Sequence, residues 1–161
     1  MAQIAKIVPH LWYVDNAEEA ARFYAGIFPD SRVDAVTAIP TETPSGPAES
    51  VKVVEFTLAG QSFMAIGAGP LDPFNHAISF MVMCDDQTEI DRTWDALVTG
   101  GQAEQCGWLK DRYGVCWQIV TPKIGDMMRD PNRKKAAAAM TALMGMVKID
   151  IAALEKAYNA A

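Results

Sequence analysis

His10 and His76 are the chain's only histidines, and with Gln118 they are the side chains whose chemistry would suit a divalent ion. Two readings of them stand side by side. In one, the strand registers bring His10, His76 and Gln118 together around a metal. In the other, His10 lies on the reverse face of its strand against a helix, and His76 sits near the end of a linker. The second is the expectation, because a slide of 70 residues that superposes the two halves of the chain pairs His10 with Phe80 and leaves His76 unmatched. Nucleophilic chemistry has thinner support. Cys84, Cys106 and Cys116 show no CxxC spacing and have no His or cation adjacent in sequence to stabilise a thiolate. They read as reduced core thiols, with Trp108 as a core neighbour. Glu55, among apolar residues, offers a general base with a raised pKa, but an edge or solvent-facing carboxylate is the expectation. Asp111 and Arg112 read as turn and surface residues, and Arg133, Lys134 and Lys135 as a solvated helix start.

Bulk properties narrow the function classes. The chain has 161 residues, enough for one well-buried core. A net charge of −6 with no dense basic run argues against nucleic acid. The N-terminal run MAQIAKIVPHLWYV is too short to span a membrane and precedes no small-residue cleavage site, so neither membrane nor export is expected. Unpaired cysteines fit a cytoplasmic protein.

The elements that must position these residues come in a repeated order. Ile4 to Val14 reads as a strand. A helix follows to about Phe28, capped by Asn16 with Glu19 as the capping-box acid, its apolar face formed by Ala17, Ala20, Ala21 and Tyr24. Ser31 to Ile39 returns as a strand, PTETPSGPAES reads as a mobile loop, and Val51 to Ile66 forms a hairpin turning at Ala59 and Gly60. After the linker Gly67–Asn75 the order begins again. His76 to Cys84 is a strand, Asp85 and Asp86 cap a helix with Ile90, Trp94 and Leu97 on one face, and three short strands end at Val120. The slide of 70 also sets Asn16 on Asp86, Glu19 on Glu89 and Tyr24 on Trp94. The chain is thus a single α+β domain of two βαβββ modules, about residues 1–67 and 75–121. A helical tail, about 122–161, follows with Met140, Leu143, Met144 and Val147 on one helix and Ile151, Leu154, Ala157 and Tyr158 on the last. This apolar tail needs a docking surface, its own sheet or a second subunit, and a homodimer is expected.

Paired βαβββ units with an NAEEAARFY helix and a DRYGVCWQI turn-strand resemble the vicinal oxygen chelate superfamily. The phrases LWYVDNAEEAARFYAGIFPDSRV, FMAIGAGP, AISFMV and MVKIDIAALEKAY resemble its PhnB-like branch, labelled 3-demethylubiquinone-9 3-methyltransferase. That resemblance runs over essentially the whole chain and implies modules whose sheets curl into a U-shaped cleft. In metal-dependent members, four side chains from the first and last strand of each module hold a divalent ion. Counting from the helix caps and turn glycines, those positions fall on Pro9, Met64, Ser79 and Gln118. Only Gln118 is an ordinary oxygen ligand, so a degenerate metal site and no cofactor are expected, with a divalent metal as the alternative.

Strand alternation from those four positions turns Leu11, Tyr13, Met81, Met83, Cys116 and Val120 inward as well, and turns His10, Trp12, Phe63, Phe80, Trp117 and Ile119 towards the helices. The resulting wall is apolar and Met-rich, with polar groups at Tyr13, Ser79 and Gln118. It suits an apolar or aromatic small molecule held by Tyr13, Met64, Ser79, Met81 and Gln118. The expected function is small-molecule binding. The alternative is an enzyme of the superfamily, either a metal-dependent isomerase, lyase or dioxygenase or the methyltransferase of the branch label. Against methyl transfer, neither GAGP nor TGGQ opens a helix after a strand, as many nucleotide-type cofactor sites require.

Overall fold

Apolar alternation before Val14 favours a strand, and small apolar residues three and four apart after Asn16 favour a helix packed closely on it. The computed structural model of the protein describes residues 5–161. It divides into two compact units, one ending at Asp72 and the other spanning Pro73–Ala161.

In the first unit, β1 (His10–Tyr13) leads into α1 (Ala17–Ala25), and β2 (Arg32–Ala38), β3 (Lys52–Leu58) and β4 (Gln61–Gly67) complete a sheet in the order β1-β4-β3-β2. The β1–β4 pair is parallel and the others are antiparallel. The Ala59-Gly60 turn joins Leu58 to Gln61 with both turn residues at positive φ, 47° and 79°, as a two-residue hairpin of matching twist requires. Ala17, Ala20, Ala21 and Tyr24 form the buried face of α1. Two expectations are corrected. β1 starts only at His10, and the Ile4 end of the expected strand lies outside the described residues. Asn16 occupies the N-cap position but makes no side-chain cap hydrogen bond.

The second unit repeats the plan. β5 (Phe80–Met83), α2 (Gln87–Val98), β6 (Gln102–Ala103), β7 (Trp108–Lys110) and β8 (Cys116–Val120) give a sheet ordered β5-β8-β7-β6, again with a parallel first pair. Here the cap forms: Asp86 accepts the Glu89 N–H at 2.9 Å, while the Glu89 carboxylate reaches back to the Asp85 N–H at 2.7 Å. The expected strand from His76 shortens to Phe80–Met83, with His76 in a turn ahead of it.

The tail forms α3 (Pro122–Arg129), α4 (Arg133–Met144) and α5 (Ile151–Asn159). It docks within its own unit. Cys106 and Gly107 donate their N–H groups to the carbonyls of Met146 and Val147, both at 2.8 Å. The Gln87 amide clamps the start of α5, donating to the Ile149 carbonyl at 3.0 Å and accepting the Ile151 N–H at 2.9 Å. Lys148 reaches Asp91 of α2 at 2.9 Å, and this ammonium, with the Gln87 amide, holds the Asp91 carboxyl below its ordinary range. Gly107, at φ 84°, permits the close approach, since a Cβ there would lie 2.7 Å from the Ile119 carbonyl oxygen. Ile149 and Leu154 are buried, whereas Met144 and Val147, expected on an apolar face, are exposed. The need for a docking surface that suggested a second subunit is therefore met in cis. No helix among the described residues is long and apolar enough to cross a membrane.

Asp111 is the strongest departure from its sequence reading. It is only 3% exposed rather than a surface turn residue. Its Oδ1 accepts the N–H groups of Tyr113 at 2.8 Å and Val115 at 3.1 Å, and its Oδ2 accepts the Trp117 indole N–H at 2.8 Å. Replacing it leaves three donors short of a partner in a buried site. Asp111→Ala should cost about 2–4 kcal/mol in chemical denaturation, well above an ordinary turn substitution. A loss under about 0.5 kcal/mol would show that water replaces the carboxylate without penalty.

Candidate functional site

Each sheet has a helix-covered face and an open face, and period-two alternation decides which side chains reach which. On the second sheet Trp117, Ile119 and Leu109 are buried towards the helices, so their neighbours turn the other way. Trp108, Gln118 and Met81 are register partners across β7, β8 and β5 and make one row on the open face. Such neighbours stand about 4.8 Å apart. Gln118 donates from Nε2 to Ser79 Oγ at 2.9 Å, which fixes its amide. Met81 and Met83 remain 49% and 55% exposed on this face. Ser79, Met81 and Gln118, picked from sequence, are thus brought together.

Tyr13 is not part of such a face. It is 3% exposed, with its hydroxyl 3.4 Å from that of Tyr24 on α1. Leu11 is buried likewise, while His10, in register with Met64, and Trp12, in register with Ile66, take the open face, the reverse of expectation. The cause is one residue in the strand-to-helix connection. The last helix-facing side chain before the cap is Tyr13, three residues ahead of Asn16, but in the second unit it is Cys84, two residues ahead of Asp86 and bonded to Thr93 of α2. A shift of one residue flips every side chain of a strand. Met64 keeps its expected side, on the open face of the first sheet between Glu55 and His10. Glu55 belongs to an interior strand rather than an edge and is half-buried.

Three features of the second unit escaped sequence reasoning. Trp108, read as core, is half-buried on the open face; its alternation with buried Leu109 was the available signal. His76 Nε2 lies 2.8 Å from Glu104 Oε2, a contact between residues 28 apart that no local pattern announces. Cys106, also read as core, is half-buried with φ at 59°, and its Sγ lies 4.0 Å from Met144 Sδ. Cys84 and Cys116 are buried as expected. Burial pushes the Cys84 thiol up to about 12 and raises that of Cys116.

A separate pocket of about 420 Å³ in the first unit lies beneath Ser45 and Ser50 of the loop, against Val14, Gly67 and Ala68. Its wall carries the Glu18–Lys52 ion pair and no Met or aromatic side chain, so it is not the apolar site.

The repeated sheet order and open faces can be set beside known proteins. The family model described as 3-demethylubiquinone-9 3-methyltransferase matches residues 5–120. The chain belongs to this PhnB-like family of the vicinal oxygen chelate superfamily. A putative 3-demethylubiquinone-9 3-methyltransferase, PhnB protein, from Bacillus cereus is 30% identical, with 73% of this chain and 100% of that one covered and a TM-score of 0.63. Protein PA1353 from Pseudomonas aeruginosa is 22% identical over 73% of this chain and 98% of that one, with a TM-score of 0.55. The fosfomycin resistance protein FosX from Listeria monocytogenes shares the fold at 13% identity, with a TM-score of 0.57 over 81% of this chain and 100% of its own. No curated protein matches. The family match ends with β8, and the helical tail lies beyond the matched residues.

The resemblance to the superfamily implies metal-ligand positions on the first and last strand of each module. In register those positions are His10 with Met64 and Met81 with Gln118, rather than Pro9 and Ser79 on the first strands. Within the first unit an imidazole with a thioether, and within the second a thioether with an amide, do not make a donor set for a hard or borderline divalent ion. Among the described residues, no three His, Cys, Asp or Glu side chains gather into a metal-holding group.

Thiol accessibility gives a direct check of the second unit. Iodoacetamide should modify Cys106 of the native chain first, with Cys84 and Cys116 reacting only as the protein unfolds. Mass spectrometry showing equal rates at all three would contradict this burial pattern.

Proposed function

We propose that this PhnB-like protein binds an apolar or aromatic small molecule on the open face of its second sheet. The observation that carries the reading is the exposure of Met81 and Met83 on the face that also carries Trp108, with the hydrogen-bonded Gln118–Ser79 pair between Met81 and the indole strand. Exposed apolar side chains on a rigid sheet gain by covering, thioethers adapt to irregular shapes, and a fixed polar pair orients what covers them. Methyl transfer draws on the family description alone. Both strand-to-helix connections, Val14–Asp15–Asn16 and Cys84–Asp85–Asp86, lack the glycines of a nucleotide-type cofactor turn. Met64, beside His10 and Glu55 on the open face of the first sheet, is proposed as a ligand contact of the first unit taken by itself.

Titration with the fluorescent probe N-phenylnaphthylamine tests the reading. Met81→Lys and Met83→Lys should each weaken binding by about tenfold or more without lowering the melting temperature, since a Met side chain covered by ligand contributes about 1.5–3 kcal/mol. Met128→Lys, at a similarly exposed methionine on α3, should leave affinity unchanged. Equal losses at all three positions, or none at Met81 and Met83, would overturn the proposal.

A further inference from the structure

His76 and Glu104 lie at the border of the open face and are not used by the binding surface described so far. The His76 ring stands 6.1 Å from the Trp108 ring, centroid to centroid, at 47°. Its Nε2 lies 2.8 and 3.0 Å from the two Glu104 carboxylate oxygens. A carboxylate only accepts, so in the neutral imidazole Nε2 carries the proton and Nδ1 keeps its lone pair. Nδ1 has no hydrogen-bond partner among the described residues.

Both members of the pair are held from their backbones. Asn75 Oδ1 accepts the Ala77 N–H at 2.8 Å, an Asx turn spanning His76. The Glu104 N–H donates to the Trp108 carbonyl at 2.9 Å, which closes the short loop from Glu104 and ties its position to that of the indole. The result is an oriented hydrogen-bond acceptor beside an aromatic and thioether platform. The amide of Gln118, in register with Trp108, is already engaged with Ser79.

We infer that His76 accepts a hydrogen bond at Nδ1 from a hydroxyl on the ring of the bound molecule, and that Glu104 is the positioning residue that fixes the accepting tautomer. The site therefore selects hydroxylated aromatic ligands over the corresponding ethers. This rests on the reading of the open face as a small-molecule site, and the probes separate the two. Naphthol and its methyl ether present nearly the same apolar surface, and only naphthol can donate.

Calorimetric titration of the full chain should show naphthol binding about tenfold more tightly than methoxynaphthalene. His76→Ala, at an exposed turn, should remove that preference by weakening naphthol alone. Glu104→Lys should remove it too, because an ammonium only donates and forces Nε2 to accept, leaving the proton on Nδ1. Nitrogen NMR of the imidazole should then show the proton exchanged between the two ring nitrogens, a change that loss of structural support alone would not produce. Equal affinity of the native chain for both probes, or a preference surviving His76→Ala, overturns the role of the dyad and leaves the apolar site standing. Binding of neither probe overturns both.

Discussion

The contact between the Asp111 carboxylate and the Trp117 indole sets the phase of the second sheet. One oxygen gathers the turn N–H groups of Tyr113 and Val115, the other takes the indole N–H, and together they fix which way β8 enters the sheet. With Trp117 turned towards the helices, where its ring meets Phe80 at 5.4 Å, Gln118 must face outward. Its register partners Trp108 and Met81 follow. A buried carboxylate inside a turn thus determines which residues form the row on the open face.

The tail supports the same arrangement from the other side. Its backbone pairs with Cys106 and Gly107, and its clamp on Gln87 and ion pair with Asp91 tie it to α2. Ile149 and Leu154 bury apolar surface that gains by leaving water. The helix-covered side is therefore well filled, while Met81 and Met83 stay uncovered on the opposite face. That asymmetry separates the side chains that stabilise the unit from those left in contact with solvent.

Much of this fold was legible in the sequence because alternation, capping residues and turn glycines are local signals. The doubled βαβββ order, the buried stripes of α1 and α2, and the grouping of Ser79, Met81 and Gln118 all followed from them. The facing of β1 did not. The repeat aligned the helix caps correctly, but the one-residue difference between Tyr13–Asn16 and Cys84–Asp86 reversed Leu11, Tyr13, His10 and Trp12, and a period of two turns such a difference into a complete inversion. Asp111 was misread for another reason. Aspartate in a turn is usually solvated, and only the fold shows that its partner is an indole six residues on. His76 and Glu104 meet through tertiary structure alone, so composition marked the histidine but nothing local pointed to its pairing with Glu104.

A small molecule covering the open face of the second sheet would change the surroundings of the Met81 and Met83 methyl groups. The most direct measurement is methyl NMR of the chain labelled at its methionines, during titration with naphthol. The Met81 and Met83 methyl signals should move together with ligand concentration, while Met128 and Met144, comparably exposed on the tail, should stay in place. Shifts confined to Met128 and Met144, with Met81 and Met83 unchanged, would contradict binding on that face.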